Sequence, residues 1–353
     1  MNHATTTAHP VETIELTSGY RIPRIIRGGW QLAGDHGAVD RERALTDMAA
    51  FVAAGLNTVD GADIYTGVEA MYGEFNARQR AAGLNRLQVH TKFVPDYGDL
   101  AQVDEAYVRR IVTRSLQRLQ VEQLDLVQFH WWDYQTGHFV EVAQTLNTLR
   151  TEGLIAHLGG TNFDTPSTQA MLQAGVPLVS MQVQYSLLDR RPAHNLAALC
   201  ARHGMQLLCY GTLAGGFLSE RWLGQEEPGS DPGNRSLVKY KLIIDEFGGW
   251  DAFQALLRAL KSIADRHGVT LSTVATRWVL DQPAVAAAIV GARYGDRIGD
   301  TLKVFGLQLD AADHALLAPI LAASPGPAGD TYTLERDKNG PHGRIMKYDL
   351  NKT

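Results

Sequence analysis

The chain has 353 residues, 45% hydrophobic and 20% charged, a balance that suits a packed core and excludes a disordered polymer. Lys and Arg number 33 against 38 Asp and Glu, so the formal net charge is −5 and the basic excess that drives phosphate-backbone binding is missing; nucleic acid is not an expected partner. Two cysteines, Cys200 and Cys209, are too few for a disulfide framework at this length.

Residues 1–12 read as a polar arm. The first Lys or Arg of the chain is Arg21, so neither the charged start of a secretory signal nor an Arg-rich transit pattern is expected, and no run of about eighteen apolar residues occurs. The expected address is the cytoplasm, without a membrane partner; the oligomeric state stays open. Runs 13–16 and 20–22 flank Thr17-Ser18-Gly19, which predicts a β-hairpin with glycine supplying the positive φ. Beyond it, short apolar runs alternate with stretches of helical spacing. Strands are predicted at 25–30, 58–60, 88–92, 125–130, 155–160, 180–183, 206–210 and 286–290. Helices are predicted at 41–54, 68–81, 105–120, 139–150, 165–174, 192–203 and 251–267. Asp40, Asp104 and Asp164 stand where N-caps would, and Gly55, Gly153, Gly175, Gly204 and Gly268 where C-caps would.

Eight alternations over about 280 residues predict an α/β fold, a closed (β/α)8 TIM barrel spanning 13–323 as one domain, followed by a long C-terminal tail, 324–353. The open-sheet dinucleotide fold requires G-x-G-x-x-G, and no two glycines here lie two positions apart. Neither a phosphate-binding P-loop, nor H-E-x-x-H, nor G-x-S-x-G, nor H-x-H occurs. Two segments break the rhythm. Residues 211–249 form a long stretch rich in Gly, Pro and charge after a strand, where barrels carry functional loops. The tail is polar with scattered aromatics; it either covers the barrel mouth or runs to a partner subunit.

Barrels place their chemistry at the C-terminal ends of strands. The second strand ends in Asp60 with Tyr65 just beyond, the third in Lys92 and the fourth in His130. Consecutive strands thus deliver a carboxylate, a phenol, an ammonium and an imidazole to one mouth. Singly, each is an ordinary turn, loop or core residue; together they form equipment for protonating an oxyanion. An ammonium lowers a phenol's pKa, a carboxylate holds the ammonium, and an imidazole N–H orients a carbonyl oxygen. A hydride must then come from a nicotinamide cofactor. Lys92 beside Asp60 repels a cation, so no catalytic metal is expected.

These residues sit in stretches that carry a resemblance. They are Asn57-Thr-Val-Asp60-Gly-Ala-Asp-Ile-Tyr65, His90-Thr-Lys92, Ser115-Leu-Gln-Arg-Leu119, Leu124-Asp-Leu-Val-Gln-Phe-His130-Trp131, Gly153-Leu-Ile-Ala-His-Leu-Gly-Gly-Thr161-Asn162-Phe163, Tyr210-Gly-Thr-Leu-Ala-Gly-Gly-Phe-Leu218 and Ile289-Val-Gly-Ala-Arg293. In this order they resemble the aldo-keto reductase superfamily, over nearly the whole chain from the hairpin to about Ala322. The resemblance implies the tetrad Asp60, Tyr65, Lys92 and His130, with Tyr65 as general acid in reduction. It implies NADP(H) as cofactor, NAD(H) being less expected. Thr161 and Asn162, with Gln182, match the set that holds the nicotinamide carboxamide; Tyr210 matches the stacking aromatic. Gly211, Thr212, Leu213 and Gly215 match the pyrophosphate loop. Arg293, Arg297 and Asp300 match the region that grips the adenosine phosphate and adenine, and Gly29 and Trp30 join the cofactor set. Trp30, Trp131 and Trp132, with Tyr97 and Tyr134, would line the substrate pocket. Thr161 stands for the usual Ser, Thr301 for a common Asn, Val290 for the usual Pro and Trp132 for a common Pro. The implied activity is NADPH-dependent reduction of an aldehyde or ketone. The alternatives are a sugar or secondary-alcohol dehydrogenase and, in another class, a cofactor-binding regulatory subunit.

Overall fold

A computed structural model describes residues 10–33, 39–229, 233–291 and 294–351. The hairpin forms from β1 (Thr13–Thr17) and β2 (Tyr20–Pro23), antiparallel, with Gly19 at φ 75°. Then come β3 (Ile25–Gly28), α1 (Arg41–Ala53), β4 (Thr58–Asp60), α2 (Val68–Ala81), β5 (Gln88–Phe93), α3 (Glu105–Leu119), β6 (Leu124–Phe129) and α4 (Phe139–Thr151). The second half holds β7 (Ile155–Thr161), α5 (Thr165–Gln173), β8 (Leu178–Gln184), α6 (Leu196–His203), β9 (Gln206–Tyr210), α7 (Arg235–Phe247), α8 (Gly249–His267), α9 (Leu271–Leu280) and β10 (Val285–Gly291). The strands β3 to β10 close into a parallel barrel in chain order, with β10 pairing both β9 and β3. The (β/α)8 TIM barrel expected from the alternation is the fold.

Two apolar layers hold it. Inside the barrel, Ile26, Leu126, Leu208, Ala286, Ala287 and Ile289 pack with Leu16 and Ile22 of the hairpin, which plugs the end opposite the strand C-termini. Outside, a continuous core joins the helices to the strands, with Phe93, Phe129 and Phe163 in ring contact. Asp40, Asp104 and Asp164 each accept from a first-turn N–H of α1, α3 and α5, which starts these helices where the sequence expected.

Several boundaries differ from the expectation. The first barrel strand ends at Gly28, because Trp30–Leu32 turns into a 3-10 helix with Leu32 N–H donating to Gly29 O. The segment 211–249 contains α7. No helix was predicted between Gly268 and the last strand, yet α9 lies there; Leu271 and all residues from Thr273 to Leu280 are buried, so it shows no amphipathic stripe. After β10 comes no long helix but a broken run, with α10 (Ile298–Leu302) only 5 residues long, before α11 (Ala311–Ala323). The tail folds onto the barrel through α12 (Thr333–Arg336) and α13 (Pro341–Arg344), burying Thr331, Tyr332, Glu335 and His342. There Arg336 donates to the carbonyls of Trp131, Trp132 and Asn162, just beyond the strand ends. No single helix among the described residues is long and apolar enough to cross a membrane.

Candidate active site

Register brings the tetrad together. β4 pairs β5 with Asp60 opposite His90, and β5 pairs β6 with Lys92 opposite Gln128. Lys92 Nζ donates to Asp60 Oδ1 at 2.7 Å, to Asp60 Oδ2 at 2.8 Å and to Gly61 O at 2.8 Å, which uses all three of its protons. Across the barrel Gln182 Nε2 donates to Asp60 Oδ1 at 2.7 Å and to Gln128 Oε1 at 3.0 Å. The carboxylate is thus held from two sides. This ion pair is buried, and removing one partner from such a pair costs about 3–5 kcal/mol.

Tyr65 stands over this pair, its ring centroid 5.0 Å from Lys92 Nζ and 5.1 Å from the Trp30 ring. Its hydroxyl makes no hydrogen bond with the described residues. The expected lowering of its pKa is not found. Burial raises it well above 10, and Asp60 and Asp63 add to the rise. Lys92 spends its three protons on Asp60 and Gly61 O and gives none to the phenol. Tyr65 therefore stays protonated at neutral pH. Burial lowers the Lys92 ammonium, against the pull of Asp60.

His130 completes the set. Its Nδ1 lies 3.1 Å from Thr161 O, and its buried Nε2 has no partner. Burial, followed by the Arg336 charge, pushes its pKa down to about 3. Trp132 packs edge-on against it at 4.4 Å and donates Nε1 to Pro95 O, which keeps it beside the imidazole. Trp131 points away. Its ring is wholly buried against Phe129 in the outer core, and Nε1 donates to Asp133 O and Thr136 O, both at 3.0 Å; the residue after an inward-facing histidine points outward. Tyr97 and Tyr134 turn to the tail, under Lys338 and Arg336 respectively.

Of the expected cofactor residues, Thr161, Gln182 and Tyr210 lie at or near the C-terminal ends of β7, β8 and β9, with Asn162 just beyond β7. Asn162 adopts a positive φ of 61°, and its Oδ1 accepts from Tyr210 Oη at 2.9 Å. Its Nδ2, the Thr161 hydroxyl and Gln182 Oε1 have no partner among the described residues, and such a set fits the donors and acceptors of a carboxamide. Gln182 has a second task, since its amide N–H groups support Asp60. The loop after Tyr210 turns at Gly211 (φ 69°) and Gly215 (φ 64°) with α7 directly behind it, where a Cβ on either glycine would strike Tyr240. Gly29 is explained by packing: a Cβ there would collide with Asp60 O and the Tyr72 hydroxyl. Arg297 is exposed and has no ion pair among the described residues, Asp300 pairs with Lys303 at 2.8 Å, and Arg293 lies outside the described residues. Asp296 pairs with Arg43 at 2.9 Å.

Four residues here were not anticipated. Gln128 closes the amide network. Lys239 of α7 holds its Nζ 5.0 Å from the Tyr210 ring centroid with no ion pair among the described residues, and burial lowers its pKa. Glu335 of the tail, in α12, pairs at 3.0 Å with buried Arg191, which also grips Asp189 at 2.7 Å. Its neighbour Arg336 donates to the Trp131 and Trp132 carbonyls and, at 2.8 Å, to Asn162 O. The only sequence signal for the tail pair was charge within a polar segment, which reads as solvated surface.

A closed barrel with a buried Asp–Lys pair, a phenol and a neutral imidazole at its mouth defines an oxidoreductase-type site. Residues 24–322 match the model of the Aldo/keto reductase family, and the chain belongs to that family, whose members are oxidoreductases acting on carbonyl and alcohol groups. It is 31% identical over 274 residues to flagellar radial spoke protein 5 of Chlamydomonas reinhardtii, covering 67% of this chain but only 51%, about half, of that relative. It is 24% identical over 335 residues to the NADH-specific methylglyoxal reductase of Escherichia coli, covering 89% of this chain and 98% of that one. A glycerol dehydrogenase from Gluconobacter oxydans superposes with TM-score 0.74 at 26% identity over 92% of this chain and 98% of that one. An aldo-keto reductase from Klebsiella pneumoniae in complex with NADPH shares the fold, with TM-score 0.68 at 23% identity over 91% and 98%.

Proposed function

We propose that this chain is an NADPH-dependent reductase of aldehydes or ketones, running reversibly to the alcohol, with Tyr65 giving the proton. The observation that carries the reading is the convergence of the Tyr65 phenol, the saturated Asp60–Lys92 pair and the unpartnered His130 Nε2 at one mouth. The nicotinamide, when bound, supplies or accepts the hydride. Thr161, Asn162 and Gln182 would orient its carboxamide, and Tyr210 its ring. The loop at 211–216 would approach the pyrophosphate, with Lys239 as the neighbouring cation. Lys92 and Asp60 keep the positive charge fixed beneath Tyr65. The substrate is a small carbonyl compound seated against Trp30 and Trp132.

NADPH over NADH rests on Arg293 and Arg297. With Asp296 drawn to Arg43, the carboxylate between these two arginines is already neutralised. The relatives leave the choice open, one being named for NADH and one solved with NADPH. A regulatory subunit has no need of the saturated Asp60–Lys92 pair, so the tetrad favours an enzyme. The test is a panel of aldehydes and ketones scored by loss of NADPH absorbance. Turnover of at least one class is expected; none across the panel, with cofactor bound, would favour the regulatory reading.

A further inference from the structure

We propose that Arg336 of the C-terminal tail is a positioning residue for the nicotinamide half of the cofactor, acting through the backbone of Asn162. The cofactor here rests on the NADP(H) reading above; the geometry rests on the chain alone. Asn162 stands just beyond β7 with φ 61°, in the left-handed region, where a residue with a side chain stays only if its surroundings hold it. Both peptide groups that flank its Cα are held. On one side its N–H donates to Gln182 O at 2.9 Å, which extends the β7–β8 ladder. On the other its carbonyl accepts from Arg336 Nη2 at 2.8 Å, and this donor comes from 174 positions away, in α12.

Arg336 is fixed in turn. Its Nη1 donates to the Trp131 and Trp132 carbonyls just beyond β6, and its guanidinium lies over the Tyr134 ring, 4.0 Å from the centroid. Tyr134 Oη accepts from Asp164 N–H at 3.1 Å, and Asp330 of the tail accepts from Thr165 N–H at 3.0 Å. The tail thus grips the segment 162–165 directly at Asn162 and Thr165, and through Tyr134 at Asp164. The planar fork of one guanidinium ties this segment to the end of β6; the single ammonium of a lysine cannot span the same three carbonyls.

The consequence falls on the Asn162 side chain. With both peptide planes fixed, its Cα–Cβ bond has one direction, and its Oδ1 meets Tyr210 Oη at 2.9 Å. The amide therefore stands between Tyr210, which would carry the nicotinamide ring, and the paired Thr161 and Gln182, which would share the carboxamide. Released from Arg336, the Asn162 carbonyl can turn, and the amide loses that place. The adenosine end belongs to Arg293, Arg297 and Asp300 in the same reading, so a change at Arg336 should discriminate between the two ends of the cofactor.

Two ligands separate this role from a general one: NADP+ and 2′-phospho-ADP-ribose, the same molecule without nicotinamide. In Arg336→Ala, NADP+ binding should weaken by about three- to tenfold, the value of one neutral hydrogen bond, while 2′-phospho-ADP-ribose binds as it does to the unmodified chain. Intact binding of the second ligand also shows that the variant is folded. Equal loss for both ligands, or no loss for either, would overturn the proposal. Should Arg336→Ala fail to fold, Arg336→Lys, which keeps the charge but not the fork, decides by the same comparison. Glycine takes this φ unaided, so in Asn162→Gly the further change Arg336→Ala should leave NADP+ binding nearly unchanged. A loss as large as in the Asn162 chain would mean that Arg336 does not act through this residue. Failure of the unmodified chain to bind either ligand would instead overturn the cofactor reading itself.

Discussion

Asp60 shows how the chemistry of a single residue is divided. Its carboxylate faces Lys92 on one side and the Gln182 amide on the other, and Tyr65 rests on the assembly without a hydrogen bond to it. The tetrad was legible in the sequence because each member ends a strand or closely follows one, and strand ends can be read from apolar runs. The amides of Gln128 and Gln182 were not legible as a support for Asp60, because a polar residue inside a barrel strand carries no periodic signature. The outward turn of Trp131 was legible in principle, since alternation along β6 places it opposite His130. Cofactor choice belongs to this scale as well. Arg293→Ala should weaken NADPH binding by on the order of 10- to 150-fold and leave NADH nearly unchanged, the effect of one charge-assisted phosphate contact. Binding titrations with both cofactors check it, and an equal loss for both would mean a structural role.

Among the elements, α7 and the tail are where pattern reading stopped. The helix α7 lies inside a segment whose Gly, Pro and charge content reads as loop. Asn234 nonetheless caps it, and Leu237, Tyr240, Ile243, Ile244 and Phe247 bury one face. The tail has no apolar period because α12 is anchored by charge, Glu335 being 1% exposed and bidentate to Arg191. Such an anchor is visible only when both partners are placed, 144 positions apart. Glu335→Ala leaves Arg191 half-compensated in the interior and should cost about 3 kcal/mol in urea unfolding. Glu335→Gln, which keeps one acceptor, should cost less. A loss below about 1 kcal/mol for the alanine variant would show that the tail is not anchored by this pair.

For the whole molecule, the alternation of strands and helices fixed the barrel, while its closure by hairpin and tail emerged only in three dimensions. Its acid response follows from buried imidazoles. Burial lowers His90 and His130 to about 3, far below the ordinary value of 6.5. Above pH 6.5 both are neutral in the folded and unfolded chain, and their contribution is complete. As pH falls towards 3 the unfolded chain takes protons that the folded chain refuses, so stability falls, by about 1 kcal/mol per pH unit for each imidazole. His90→Gln should remove about one proton from that slope between roughly pH 6 and pH 4.5 in urea-unfolding measurements; an unchanged slope would mean that His90 titrates normally. The proposed function turns on Tyr65 supplying the proton for carbonyl reduction at this mouth. Its most direct test compares the unmodified chain with Tyr65→Phe, in single-turnover oxidation of bound NADPH by an accepted carbonyl and in equilibrium binding of NADPH. The rate should fall by about 10²- to 10⁴-fold while the dissociation constant stays nearly the same. Undiminished oxidation by Tyr65→Phe would contradict it.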